Sequence, residues 1–228
     1  VFTHAPDVPD LAIVAGGTLL GAVISFAVWH REALTRRWQP AAQLALTGVL
    51  LLMLTWRHGA TPELLIPVGF TVAAVPLALL DLHTGRLPNW LLLVACLLTL
   101  TGALIATLAY LHTKPLVGLL LGAAVFGGFY TALYVFLPGH MGGGDLKLSV
   151  IAGAALGWQS WSWAVSASLP AEGVRLLVQF VGVLLLIWLL NAVSYLVARA
   201  VTGRRVSAVL RHGPFLALGT VLAVLLQP

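Results

Sequence analysis

Two aspartates stand where the surrounding residues do not favour charge. Asp81 closes the run LLIPVGFTVAAVPLALLD, and Asp145 opens the run LKLSVIAGAALGW. The other five acids, Asp7, Asp10, Glu32, Glu63 and Glu172, read as tail or loop residues. An ionisable group at membrane depth is a functional group by default, because burying its charge without a purpose costs free energy. Two carboxyls at ~4 Å repel by about 4 kcal/mol at an effective dielectric of ~20, or roughly three pK units. One then keeps its proton while the other ionises. Such a pair can hold a water, take its proton on the ionised member and donate the other proton to a carbonyl. That is the chemistry of aspartyl proteolysis. The pair titrates as a unit, so spacing alone assigns neither member as acid or base. The same carboxyls would also serve a transporter or a proton pathway. Both lie at one membrane face with no polar relay across the rest, which weighs against transport. Taken singly, Asp145 would serve as a helix cap and Asp81 as the start of a turn in DLHTGRLPN.

Their neighbours have candidate roles of their own. In PGHMGGGDLKLS, Gly142, Gly143 and Gly144 keep the backbone open, either to admit an extended substrate segment through main-chain hydrogen bonds or simply to form a tight loop. Lys147 is suited to a carboxylate or a substrate carbonyl, and equally to anchoring the chain at the interface. Pro88 and Asn89 end a loop and start a helix. His83 and His140 flank the aspartates, but no tight ligand spacing accompanies them, so neither a metal nor a cofactor is expected. Asn191, Ser194 and Tyr195 read as helix–helix hydrogen-bonding groups. Arg204, Arg205 and Arg211 read as contacts to anionic headgroups.

The elements that must position these residues are apolar helices. The 228 residues are 60% hydrophobic and 8% charged, against roughly 25% charged in a soluble domain. Eight apolar segments run over about 11–29, 41–56, 64–82, 90–111, 116–137, 148–164, 174–198 and 214–226. Several approach the ~20 residues that cross a bilayer as a helix. Strand-like alternation is absent, and backbone groups in lipid must be satisfied within the segment. The expected fold is therefore all-α: a single polytopic membrane helix bundle of about eight helices over 1–228. The short eighth is either spanning or re-entrant. Val1 is no initiator residue, so the native start is expected to lie upstream or to have been removed. The single cysteine, Cys96, rules out an internal disulfide and a cysteine-pair zinc site. The net charge of +5 comes without a basic block interleaved with aromatics, so it reads as the positive-inside bias rather than nucleic-acid binding. With the N-terminus outside, the cytoplasmic side receives Arg31, Arg36, Arg37, Arg86, Lys147, Arg199, Arg204, Arg205 and Arg211, and the outer side Arg57, Lys114 and Arg175. Trp29, Trp38, Trp56 and Trp90 lie near segment ends, and WQSWSW lies at the outer end of the sixth, where interfacial tryptophans are expected. This parity places Asp81 and Asp145 at the same, cytoplasmic, face. The helix macrodipole opposes a carboxylate at the C-terminal position of Asp81 and favours one at the N-terminal position of Asp145, which predicts a lowered pKa for the latter.

Three stretches then resemble a known family. DLHTGRLPN (Asp81–Asn89) is similar to the first aspartate motif of type IV prepilin peptidases. MGGGDLKL (Met141–Leu148) is similar to the second, a Gly-x-Gly-Asp followed by lysine. GPFLALG (Gly213–Gly219) is similar to the family's C-terminal segment, and TLLGAVISFAVWHR (Thr18–Arg31) to a decayed first-helix motif. The resemblance covers about 64–228. It implies an intramembrane aspartyl endopeptidase of the inner (cytoplasmic) membrane that removes leaders from prepilins or pseudopilins, serving type IV pilus assembly or protein secretion. It puts the catalytic aspartates on Asp81 and Asp145, and the surrounding motif on Gly142, Gly144, Lys147, Pro88 and Asn89. Many members also carry a large loop after the first helix, often with paired cysteines for zinc, and methylate the new N-terminus. Here that loop is only about HREALTRRWQP (His30–Pro40), so N-methyltransferase activity is not expected.

Overall fold

The computed structural model describes residues 8–31, 39–111, 113–137, 141–162, 169–202 and 212–227. Every regular element among them is helical: α1 (Val8–Arg31), α2 (Gln39–His58), a 3₁₀ turn (Pro62–Leu64) leading into α3 (Leu65–Thr84), α4 (Asn89–Tyr110), α5 (Lys114–Phe136), α6 (Gly143–Ser162), α7 (Leu169–Thr202) and α8 (Gly213–Leu226). Six of these, α1 to α5 and α7, are long and apolar enough to cross a membrane. The architecture is a polytopic membrane helix bundle.

Burial sorts the helices. In α3, 78% of the apolar span is buried, against 22–39% in the other five long spans. α6 is enclosed along the whole stretch 151–160, so that stretch does not face lipid and accommodates Gln159 and Ser160. The two central helices are thus the two that carry the aspartates. They touch each other little. α8 packs against both more extensively and stands between them.

Small residues bring the backbones close. A Cβ on Gly122 of α5 would fall on the carbonyl oxygen of Gly153 in α6, and one on Gly157 would fall on that of Gly118. Glycines four apart on both helices thus face each other, the spacing that lets membrane helices pack by backbone contact. α3 meets α4 in the same way. A Cβ on Gly69 would stand 2.7 Å from the Leu98 carbonyl oxygen, and one on Gly102 would stand 2.6 Å from that of Leu65.

α8 is about 21 Å long at 1.5 Å per residue, short for a bilayer core of ~30 Å. It nevertheless runs from the aspartate end of the bundle to the other. There Arg57 Nη2 donates to the Gln227 carbonyl at 2.7 Å, and His58 Nε2 lies 3.1 Å from the Val224 carbonyl. The last residues of α2 thus bond to carbonyls at the end of α8, that of Val224 in addition to the Gln227 N–H it accepts at 3.3 Å.

Three local expectations change. Asp10 is no tail residue: it lies in the first turn of α1 and is buried. Trp158 is no interfacial anchor: it is 1% exposed and belongs to the core, because the wide contact of α6 with its neighbours continues to that end of the helix. Trp29 and Trp56 are partly exposed as anchors should be, and the Arg31 guanidinium lies over the Trp90 ring at 5.1 Å. Finally, α6 begins at Gly143, so Asp145 lies within its first turn. The expectations for Arg36, Arg37, Trp38, His140, Trp163, Arg204, Arg205 and Arg211, and for the Trp161 side chain, lie outside what is described.

Candidate active site

The first aspartate is delivered by the end of α3. Gly85 adopts a left-handed conformation (φ 67°) and its N–H donates to the Asp81 carbonyl at 2.8 Å. This left-handed C-cap stops the helix one turn after Asp81, and glycine takes it without steric cost. The Thr84 hydroxyl donates to the Leu80 carbonyl at 2.9 Å and accepts the Arg86 N–H at 3.2 Å, which tightens the exit. Pro88 is extended (φ −69°, ψ 135°) and caps α4, with its carbonyl accepting the N–H groups of Leu91 and Leu92. Pro88 and Asn89 therefore do start the fourth helix.

The second aspartate is delivered by the start of α6. Asp145 Oδ2 accepts the Gly142 N–H at 3.2 Å, the return half of a capping box, in which a third-position carboxylate satisfies the amide at the cap. Its other oxygen, Oδ1, is buried and has no hydrogen-bond partner among the described residues. The cap thus occupies one oxygen of Asp145 and leaves the other out of it. Asp145 stands before the apolar run of α6. Burial first, then the nearby Asp81 carboxylate, raise its carboxyl to about 6 against the opposing Gly142 N–H bond. The expected lowering by the helix terminus is outweighed by desolvation.

The two motifs are joined at three points. Lys147 Nζ donates to Asn89 Oδ1 at 2.7 Å. Gly144 faces Leu87, whose Cβ stands 2.7 Å from where a Cβ on Gly144 would be. The third point is Gly213, the first residue of α8. A Cβ there would lie 2.9 Å from Asp81 Oδ2, 3.2 Å from Asp145 Oδ1 and 3.3 Å from Leu87 Cδ1. The two carboxyls therefore meet across one residue of a third helix, and both aspartates are buried at 5% and 9% exposure. Oxygens each about 3 Å from one point lie within about 6 Å of each other, close enough for the charge on one carboxyl to act on the other. Of the three consecutive glycines, Gly144 has no room for a side chain, Gly142 donates its N–H to Asp145, and a Cβ on Gly143 would meet nothing within 4 Å among the described residues.

His212, just before Gly213, lies between Tyr130 and Asn191. The Tyr130 hydroxyl is 2.7 Å from Nε2, and Asn191 Nδ2 is 3.2 Å from Nδ1. Burial lowers the imidazole pKa to about 4. Ser194 and Tyr195 are half-buried nearby on α7. His83 is exposed, and among the described residues no group of three or more His, Cys, Asp or Glu could hold a metal ion. Reasoning from sequence assigned no role to Leu87, Tyr130, His212 or Gly213. A tyrosine within the apolar run of α5 was the available signal, since a buried hydroxyl requires a partner.

An all-helical membrane bundle whose two central helices each bring a carboxyl to one end defines the class. The sequence profile of the type IV leader peptidase family matches residues 68–198, more than half of the chain and including both aspartates. The chain belongs to that family, and it is a protease of the type IV leader peptidase kind. Neither the curated proteins nor the solved structures give a match.

Proposed function

We propose that the protein is an intramembrane aspartic endopeptidase that removes leader peptides from type IV prepilin- or pseudopilin-like proteins. The observation that carries this reading is the meeting of Asp81 Oδ2 and Asp145 Oδ1 at Gly213, within 2.9 and 3.2 Å of one point. With one proton on the pair, a water between the carboxyls gives its proton to the ionised member. Its oxygen attacks the carbonyl carbon of the scissile peptide, and the protonated member donates to the carbonyl oxygen. The tetrahedral intermediate collapses as a proton passes to the leaving amine. The N-terminal ends of α6 and α8 both point at the pair, and their partial positive charge favours its single negative charge.

The charge distribution supports the cytoplasmic face of the inner membrane as the place of cleavage. Arg31, Arg86, Lys147 and Arg199 stand at the aspartate end of the helices, whereas Arg57, Lys114 and Arg175 stand at the other. A substrate with a polar leader before an apolar helix, held in the same bilayer, presents its cleavage point at that interface. The open side of Gly143 offers backbone for an extended segment. The short stretch after α1 and the lone cysteine support peptidase activity without methyl transfer.

The test is leader removal from a prepilin by the purified protein in liposomes. Asp81→Asn and Asp145→Asn should each lose at least about a thousand-fold in rate, as expected when one member of a cooperating pair is removed. Wild-type cleavage by either variant would refute the mechanism. Aspartate-dependent ion flux without cleavage would establish a transport pathway instead.

A further inference from the structure

The two aspartate-bearing helices are spaced by α8, whose first residue stands between the carboxyls. Whatever fixes that end of α8 therefore fixes the gap. The α8 backbone does not do so alone. Its first turn has Pro214, which carries no N–H, and its cap residue makes no side-chain cap bond. The cap residue, His212, instead turns its ring into the bundle. Nε2 meets the Tyr130 hydroxyl of α5 at 2.7 Å, Nδ1 meets Asn191 Nδ2 of α7 at 3.2 Å, and the Trp188 ring of α7 lies 6.0 Å away. Tyr130 is fully buried, so its hydroxyl has little alternative to the imidazole.

The donors and acceptors can be ordered. An amide nitrogen only donates, so Asn191 Nδ2 gives its hydrogen to Nδ1. A neutral imidazole with Nδ1 accepting carries its hydrogen on Nε2, which then donates to the Tyr130 oxygen. One ring thus satisfies two helices at once, and the backbone bond from His212 to Gly213 carries that restraint to the carboxyls.

We propose that Tyr130, Asn191 and His212 form a clamp that sets the separation of the Asp81 and Asp145 carboxyls, acting as positioning residues for the peptidase reaction. The inference rests on the carboxyl pair being the catalytic group. The clamp ties α5 and α7 to the start of α8, and with it α8 holds Gly213 between the acids. When the clamp is released, the carboxyls separate and hold their shared proton and water less well. A misplacement of about 1 Å at reacting groups costs on the order of a hundred-fold in rate.

The experiment compares wild type with Tyr130→Phe, His212→Phe and His212→Gln in leader cleavage, with Asp81→Asn as the control for the reaction itself. Tyr130→Phe removes one hydroxyl and keeps the ring. His212→Phe keeps ring bulk and removes both bonds. His212→Gln restores a donor and an acceptor. The expected result is a kcat lowered about ten- to a hundred-fold in the two Phe variants, with KM within about two-fold, and partial recovery in His212→Gln. The alkaline limb of the pH profile should also move to lower pH. The second proton is retained because the first carboxylate repels a further negative charge, and a wider gap weakens that hold. Each variant's melting temperature and gel-filtration profile are recorded in the same detergent. Folded Phe variants that keep the wild-type kcat and pH profile, beside an inactive Asp81→Asn, overturn the clamp alone. A fall in folded fraction with an unchanged pH profile assigns the three residues to stability and equally overturns it. An Asp81→Asn variant that still cleaves overturns the underlying mechanism instead.

Discussion

At the scale of single residues, the decisive position is one without a side chain. A methyl group on Gly213 would meet carboxylate oxygens at 2.9 and 3.2 Å. These are the ends of side chains, so they can move aside without a backbone shift. Gly213→Ala should therefore fold, with a melting temperature close to wild type, yet lose about a hundred-fold in leader cleavage, because the acids are pushed from their common point. Asp145 makes a second prediction. Its carboxyl is held at about 6, so the pair gives up its last proton as pH rises through that region, and a pH–rate profile should show its alkaline limb there. His212 adds a stability term of opposite sense. Its folded pKa of about 4 lies below the unfolded value of 6.5. The unfolded chain then binds more protons as pH falls from 6.5 towards 4, and folding loses up to roughly 3 kcal/mol over that window. Thermal melts of wild type should weaken across it more steeply than those of His212→Gln. The aspartates, Gly142, Gly144, Lys147, Pro88 and Asn89 were all legible in the sequence, because charge and helix-breaking residues stand out against apolar runs. The His212 contacts were not. They join residues of α5, α7 and α8 that no local pattern relates.

At the scale of helices, hydropathy found all eight and misplaced some ends. It started the sixth at 148, whereas the helix begins at Gly143, since Asp145 and Lys147 interrupt the apolar run without interrupting the backbone. Hydropathy also could not rank the helices by depth. α3 and α4 read alike along the sequence, yet α3 is enclosed and α4 faces outward at Leu93, Leu97, Leu100 and Leu104. The pairing of α5 with α6 depends on Gly118, Gly122, Gly153 and Gly157, where a Cβ would strike backbone rather than a yielding side chain. Gly122→Ala should therefore lower the melting temperature in detergent and the yield of folded protein. Gly128, on the same helix with no described residue within 4 Å of its Cβ, should accept alanine with little change or a small gain from helix propensity.

At the scale of the whole molecule, orientation is the testable property. With Cys96 replaced by alanine, Gly143→Cys should react with a membrane-impermeant thiol reagent only when the cytoplasmic side is open. Thr61→Cys, in the turn before α3, should react only from the outside. The reverse pattern would turn the molecule over and remove the cytoplasmic site from the proposal. Chain order adds a constraint on timing. Asp81 and Asp145 belong to helices made before α8, yet α8 supplies the residue that stands between them. A chain emerging from the ribosome therefore carries both acids into the bilayer well before it carries the spacer that brings them into register. On the proposed mechanism, cleavage therefore awaits the arrival of α8, and a partly made chain holds its two acids without being able to cut.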